Sequence, residues 1–311
     1  MDLSFGAKTA VKQCMNVKSG ERVLILTDRK MPKEMPLSLK EVCEKLNAKI
    51  TLKEIEPLVR SGVEPDRETA ELMKEFDVEF LITSKSLSHT NARREACKCG
   101  ARIASMPKIT EFSFTKGGLT ANYFQVKKLC EKMFNQIKDK KEIKITSKNG
   151  TELEMSIGDH YLDIDEGLYH KPGDFGNLPA GEVDTAPNDE STNGVVVIDS
   201  MGRFGKNIKI EIEDGVAKNI KGCEELLKEV NDVGNKARVI AEIGIGTNPK
   251  AKIIGNVLED EKVFGTIHIA LGNNVSYGGK NNVAFHQDGI VVKPTLIADG
   301  RVLIKNGKWL I

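Results

Sequence analysis

Apolar and polar positions follow two different periods along the first 140 residues. Short apolar runs, typical of buried strands, occur at 22–26, 49–55, 78–83 and 102–105. Between them, apolar residues recur every three or four positions, which predicts amphipathic helices at 5–15, around 39–46 and at 65–76, 90–99 and 121–137. This alternation of strand and helix predicts an α/β fold with an open, mostly parallel sheet flanked by helices.

The pattern changes after the charged run KDKKEIK at residues 138–144. Short alternating segments follow, separated by the turn dipeptides Asn149-Gly150, Asp214-Gly215 and Asp299-Gly300, which predict β-hairpins. One helix is predicted among them, at 223–235. We therefore expect two domains: an α/β domain at 1–140 that shapes a substrate pocket or makes a dimer contact, and an α+β domain at 141–311, rich in antiparallel strands.

Composition narrows the class of protein. The 311 residues carry 46 basic and 45 acidic side chains, a net charge of +1, with the two signs interspersed. A basic surface for nucleic acid is therefore not expected, and neither is a membrane span, since no window approaches about 20 consecutive apolar residues. We expect a cytoplasmic protein, and six cysteines are too few for a disulfide scaffold.

Four short segments of the second half carry candidate metal ligands. His286 and Asp288 lie two residues apart in the apolar run VAFHQDGIVV, so on a strand they point to the same face. His268 lies in GTIHIALG, where a buried imidazole needs a polar partner or a metal ion. Glu182 lies in the proline-rich segment NLPAGEVDTAP, and Glu242 lies in AEIGIG. Taken singly, each histidine also fits a hydrogen-bonded core residue, and the His-x-Asp pair fits an ordinary ion pair.

Taken together and in this order, NLPAGEVDTAP, AEIGIG, HIALG and HQDG resemble the M29 family of metalloaminopeptidases, the aminopeptidase T and S group. The resemblance implies that two divalent ions are held by a set of five residues: Glu182, Glu242, His268, His286 and Asp288. Ligands of imidazole and carboxylate suit zinc, cobalt or manganese. It also implies a homodimer that acts on short peptides. The tyrosine that the family carries seven residues after the histidine of HIALG is Val275 here, and Tyr277 lies two positions further on.

A ligand set of imidazoles and carboxylates, without thiolate, suits a catalytic rather than a structural metal site. Two ions would balance the three carboxylates together with a bridging hydroxide, and such a pair activates water for amide hydrolysis. Glu182 and Glu242 are then the candidates for the general base, and Tyr277 for a donor to the oxyanion. The expected function is a metal-dependent aminopeptidase whose catalytic metal site lies in the domain at 141–311.

Two alternatives remain open. A ring-cleaving dioxygenase similar to dihydroxypyridine dioxygenase would use His268, His286 and Asp288 as a ligand triad for a single iron ion. A metal-binding protein without catalytic turnover is the other. The presence of both Glu182 and Glu242 favours the peptidase, because an iron triad needs neither. The pair Cys97 and Cys99 is predicted to lie on a helix, where residues two apart do not share a face, so no metal site is expected there.

Overall fold

The computed structural model describes residues 2–311, which form two compact units. The first unit contains residues 2–127 and 166–180, and the second contains 128–165 and 181–311. The sequence placed a single boundary at 140, whereas the segment 166–180 belongs to the first unit because it adds the last strand to that unit's sheet. The functions assigned to the two expected domains stay predictions.

The chain contains short helices and many short strands. The helices are α1 (Ser4–Lys8), α2 (Glu34–Glu44), α3 (Arg67–Met73), α4 (Asn91–Lys98), α5 (Glu111–Thr115), α6 (Tyr123–Ile137), α7 (Glu224–Val233) and α8 (Val257–Asp260). The strands are β1 (Arg22–Asp28), β2 (Lys49–Ile55), β3 (Val78–Ile82), β4 (Arg102–Ser105), β5 (Glu142–Thr146), β6 (Glu152–Ser156), β7 (Asp163–Asp165), β8 (Phe175–Asn177), β9 (Glu182–Thr185), β10 (Asn193–Ile198), β11 (Ile208–Glu213), β12 (Val216–Lys221), β13 (Ile240–Gly246), β14 (Ile267–Gly272), β15 (His286–Val291), β16 (Thr295–Ala298), β17 (Arg301–Lys305) and β18 (Lys308–Trp309). Within residues 2–311, none of the helices combines the length and the apolar content that crossing a bilayer requires.

The first unit is built on a parallel sheet with the strand order β2-β1-β3-β4-β8. Its inner strands are nearly continuous apolar runs, as expected for a parallel sheet covered on both faces. Leu24, Leu81 and Ile103 from three neighbouring strands pack with Met73 of α3 in one buried cluster. The predicted α/β architecture is confirmed for this unit.

The second unit contains two antiparallel sheets. One has eight strands in the order β12-β11-β10-β6-β5-β16-β17-β18, and the other has five in the order β15-β14-β13-β9-β7. The hairpin predicted at Asp214-Gly215 joins β11 to β12, and both turn residues have positive φ, +47° and +69°. Such a turn matches the twist of the strands that it joins. The predicted α+β character of the second half is confirmed.

Helix capping explains where two predicted helices begin. The α3 helix was expected at 65–76 and runs from Arg67 to Met73. It begins at Arg67 because the Asp66 side chain accepts the backbone N–H of Thr69 at 2.8 Å and caps the first turn. The α4 helix is capped in the same way by Thr90, whose hydroxyl oxygen accepts the N–H of Arg93 at 3.3 Å.

Glu79 is an acidic residue in the apolar centre of the parallel sheet. It lies on β3 between Leu24 of β1 and Ile103 of β4, is 0% exposed, and has no hydrogen-bond partner for either carboxyl oxygen. Burial raises the pKa of the Glu79 carboxyl well above its usual value. The folded protein therefore keeps this carboxyl protonated at pH values where the unfolded chain ionises it.

A buried carboxyl with a raised pKa lowers the free energy of unfolding as pH rises above the unfolded-state pKa of 4.5, because the folded state binds the extra proton. We expect Glu79→Gln to match the parent at pH 4 and to be more stable at pH 8 by about 1–3 kcal/mol. Urea denaturation at both pH values measures this difference. Glu54→Gln, at an exposed position of β2, is the control and should show no such pH dependence. A loss of stability in Glu79→Gln that is equal at both pH values would contradict the assignment.

Candidate metal centre

All five predicted ligands lie on one face of the five-stranded sheet. Paired residues of neighbouring antiparallel strands share a face, and residues two apart on one strand do so as well. The register places Gly272 opposite His286, Ala270 opposite Asp288, Gly244 opposite His268, and Gly246 opposite Glu182. Glu242 pairs with Ala270 next to a β-bulge and joins the same row. The sheet thus brings together four segments that are far apart in sequence.

The alternation in AEIGIG explains how the row is accommodated. Ile243 and Ile245 point to the opposite face and are buried in the core. On the ligand face, a Cβ atom at Gly244 would overlap the imidazole ring of His268, so only glycine leaves room for that ring. Gly244 is therefore required by the histidine across from it, whereas a Cβ at Gly246 would overlap the backbone of Val263.

Glu242 is at the centre of the ligand cluster. Its Oε1 lies 3.0 Å from Nε2 of His268, and its Oε2 lies 3.0 Å from Nε2 of His286. His286 Nε2 is also 3.4 Å from Oδ1 of Asp288. Ligand atoms of Glu242, His286 and Asp288 all lie within 4.8 Å of one another. Two imidazoles and two carboxylates thus lie close together, a donor set that fits a divalent transition-metal ion.

The protonation of this cluster follows from burial and close charges. Burial would raise the pKa of Glu242, but hydrogen bonds from His268 and His286 outweigh it and hold that pKa well below its usual value. Burial would lower the histidine pKa values, but the hydrogen bond and charge of Glu242 raise the pKa of His268 to about 9. For His286, the charge and hydrogen bond of Asp288, together with Glu242, raise the pKa well above 6.5. Without metal, protons hold this cluster together.

Neighbouring groups orient the cluster. Nδ1 of His286 lies 2.8 Å from the carbonyl oxygen of Asn273, which turns Nε2 toward the carboxylates. Tyr277 ends a 3₁₀ turn after β14, and its hydroxyl donates a 2.6 Å hydrogen bond to Oε2 of Glu242. Val275, at the position where the M29 pattern has its tyrosine, is 42% exposed. The structure therefore brings Tyr277, and not Val275, to the cluster.

Glu182 has a partner that the sequence did not indicate. Its Oε1 forms an ion pair with the ammonium of Lys262, while its Oε2 lies 3.6 Å from Nε2 of His268. Lys262 is 0% exposed, and its Nζ also lies 2.9 Å from Glu261 and 3.9 Å from Asp165. Burial would lower the pKa of Lys262, but the charges of Glu182, Glu261 and Asp165 raise it well above 10.5.

Lys262 was missed because it belongs to the run LEDEK, and a run of charged residues usually marks a solvated surface. Here Glu259, Asp260, Glu261 and Lys262 are all buried. The sequence offered one signal of this burial, which is the position of the run. Three residues separate it from the strand segment TIHIALG that carries His268.

Asp184, His170 and the pair Cys97 and Cys99 have different surroundings. Asp184 lies on β9 and shares the ligand face. Burial, together with the charges of Glu182 and Glu242, raises the pKa of its carboxyl well above the usual value, so it keeps a proton. His170 contacts the carbonyl oxygen of Gln13 at 2.7 Å, within the first unit. The metal-ligating group found among residues 2–311 contains neither Cys97 nor Cys99.

Metal binding to this cluster should release protons. His268, with its pKa of about 9, and His286 are protonated at pH 6 in the metal-free protein, and both must lose that proton to bind a metal ion. We expect the affinity for Mn²⁺ to increase by about tenfold or more between pH 6 and pH 8. Calorimetric titration in buffers of different ionisation enthalpy measures the protons released. An affinity that is independent of pH, with no proton release, would show that the metal binds elsewhere.

Comparison with curated proteins gives two relatives of different activity. The chain is 26% identical over 172 residues to 2,5-dihydroxypyridine 5,6-dioxygenase of Pseudomonas putida, a match that covers 49% of each protein. It is 28% identical over 196 residues to Aminopeptidase T of Thermus aquaticus, covering 52% of this chain and 47% of that protein. The matches thus span about half the length of these relatives.

Solved structures show the same fold over nearly the whole chain. The structure of 2,5-dihydroxypyridine dioxygenase from Pseudomonas putida KT2440 superposes with a TM-score of 0.82 at 18% identity, covering 99% of this chain and 96% of that one. The structure of AmpT from Thermus thermophilus gives a TM-score of 0.73 at 16% identity and covers 99% of both chains. The resemblance to the aminopeptidases is therefore supported at the level of the scaffold.

The family of this protein is shown by a match along nearly the whole chain. The family model described as NicX, 2,5-dihydroxypyridine 5,6-dioxygenase, matches residues 5–311. Together with the ligand cluster, this match supports a metal-dependent enzyme. The chain belongs to the NicX family.

Proposed function

We propose that this protein is a metal-dependent, ring-cleaving dioxygenase whose substrate is a dihydroxylated pyridine or a similar aromatic diol. The observation that carries the proposal is the single cluster in which His268 and His286 both contact the carboxylate of Glu242, with Asp288 beside His286, in a chain that matches the NicX family along its length. This reverses the order that the sequence motifs suggested, in which the peptidase came first.

A ferrous ion held by His268, His286 and Asp288 would supply the open coordination positions and the one-electron chemistry that dioxygen needs to react with an aromatic ring. The overall reaction breaks one carbon–carbon bond of the ring and places both oxygen atoms of dioxygen in the product, so no external reductant is consumed. Other residues of this chain orient the metal ligands and accept or hold protons.

Two groups next to the cluster are suited to proton transfer. Oε2 of Glu182 is buried, has no hydrogen-bond partner and faces His268, so we assign it as the acceptor of a proton from a substrate hydroxyl. The hydroxyl of Tyr277 holds a proton against Glu242 at 2.6 Å, and burial and the charge of Glu242 raise its pKa well above 10. Tyr277 therefore acts as a hydrogen-bond donor and stays neutral.

A metalloaminopeptidase is the second candidate. It is favoured by the presence of both Glu182 and Glu242 on the ligand face, and by the match to Aminopeptidase T. Both candidates use His268, His286 and Asp288, so the reaction itself has to separate them.

The protein is loaded with Fe²⁺ under anaerobic conditions and then assayed in air-saturated buffer. It should consume dioxygen when 2,5-dihydroxypyridine is added, and the absorbance of the aromatic ring should fall in equimolar amount. It should release no amino acid from a panel of aminoacyl amides. His286→Ala should lose metal and reduce the rate by more than about 100-fold, because a direct ligand is removed. His170→Ala is the matched control and should behave as the parent. Release of amino acids without dioxygen uptake would replace the dioxygenase with the peptidase.

Glu182→Gln tests the proton acceptor. We expect this variant to keep its metal ion and to lose about 10²- to 10⁴-fold in the rate of ring cleavage, because an amide does not accept the proton. Metal content and dioxygen uptake are measured on the same sample. Asp189→Asn, at a 60% exposed side chain near the same segment, is the control. Loss of a metal equivalent in Glu182→Gln would show that this carboxylate holds a second ion, as a two-metal peptidase requires.

A further inference from the structure

Lys262 places a buried positive charge among three carboxylates. Its Nζ pairs with Oε1 of Glu182 and lies 2.9 Å from Oε1 of Glu261 and 3.9 Å from Oδ2 of Asp165. The three oxygens come from β9, from the residue after α8 and from β7. Three carboxylates from separate segments therefore surround one cation.

Such an arrangement is costly to build. An ammonium removed from water loses its solvation, and the loss is offset only where carboxylates hold it in good geometry. Three carboxylates brought together without a cation would repel one another in the same way. The position therefore needs a positive charge, and carboxylate oxygens are also the donors that hard divalent ions such as Mn²⁺ prefer.

Glu182 joins this cation position to the metal cluster. One of its oxygens holds Lys262, and the other, which is buried and without a hydrogen-bond partner, faces His268. A carboxylate that faces two cation positions with its two oxygens is the arrangement of a bridging ligand between paired metal ions.

We propose that the ammonium of Lys262 occupies the position of a second divalent ion, and that it thereby limits the centre to one metal ion. Removing its charge should open a second cation site formed by Glu182, Glu261 and Asp165. The proposal rests on the proposed function and deepens it, because it names the residue that would hold the centre of a ferrous dioxygenase to one ion.

The test counts Mn²⁺ ions in the parent and in Lys262→Gln after dialysis against Mn²⁺ and removal of unbound metal. We expect about one ion per chain in the parent and about two in the variant. Mn²⁺ should also raise the melting temperature of the variant more than that of the parent, because the ion replaces the lost charge. Lys252→Gln, at an exposed lysine of the same unit, is the matched control and should bind about one ion.

Three results would overturn the proposal. They are two ions in the parent, one ion in a folded Lys262→Gln variant, and failure of that variant to fold even at saturating Mn²⁺, where the ion should supply the missing charge. A variant that is unfolded without metal and folded with it supports the proposal. The count does not depend on turnover, so a parent with one ion and no ring cleavage would contradict the dioxygenase and leave the role of Lys262 standing.

Discussion

The second unit depends on neutralising carboxylates that are buried side by side on one face of a sheet. Glu182, Asp184, Glu242 and Asp288 are all at most 8% exposed, and like charges at such distances cannot remain ionised without counter-charges. The structure neutralises these carboxylates in three ways. Imidazolium groups pair with Glu242, an ammonium pairs with Glu182, and Asp184 keeps its proton. The chemistry of the centre follows from this distribution of positive charge.

Much of the fold could be predicted because the two hydrophobic periods depend only on residues that are close together in sequence. The strands around Leu24 and Leu81 and the turn at Asp214-Gly215 need only neighbouring residues to be recognised. The assignment of 166–180 to the first unit could not be predicted, since the pairing of β8 with β4 joins residues about 70 positions apart. The start of α3 was predicted too early because the cap at Asp66 was not recognised.

The sequence predicted which residues come together at the candidate site, and their role as metal ligands stays a prediction. It did not predict the charges around them. Residue type and spacing singled out His268, His286 and Asp288, and the sheet register brings them to one face. The burial of Lys262 could not be predicted, because whether a charged run is solvated or buried depends on the packing around it. Yet this lysine decides what Glu182 can do. The same five ligand positions are compatible with two reactions, so ligand motifs alone favoured the peptidase, while the match along the whole chain favours the dioxygenase.

The spacing of the cluster along the chain has a consequence for folding. Glu182 and Asp288 lie about 100 positions apart, and they come to one face only when β9, β13, β14 and β15 are paired in register. The unfolded chain therefore holds no preformed centre, and a metal ion that binds the paired strands stabilises the folded protein over the unfolded one. Metal binding thus follows assembly of the sheet, and the folded scaffold selects the ion.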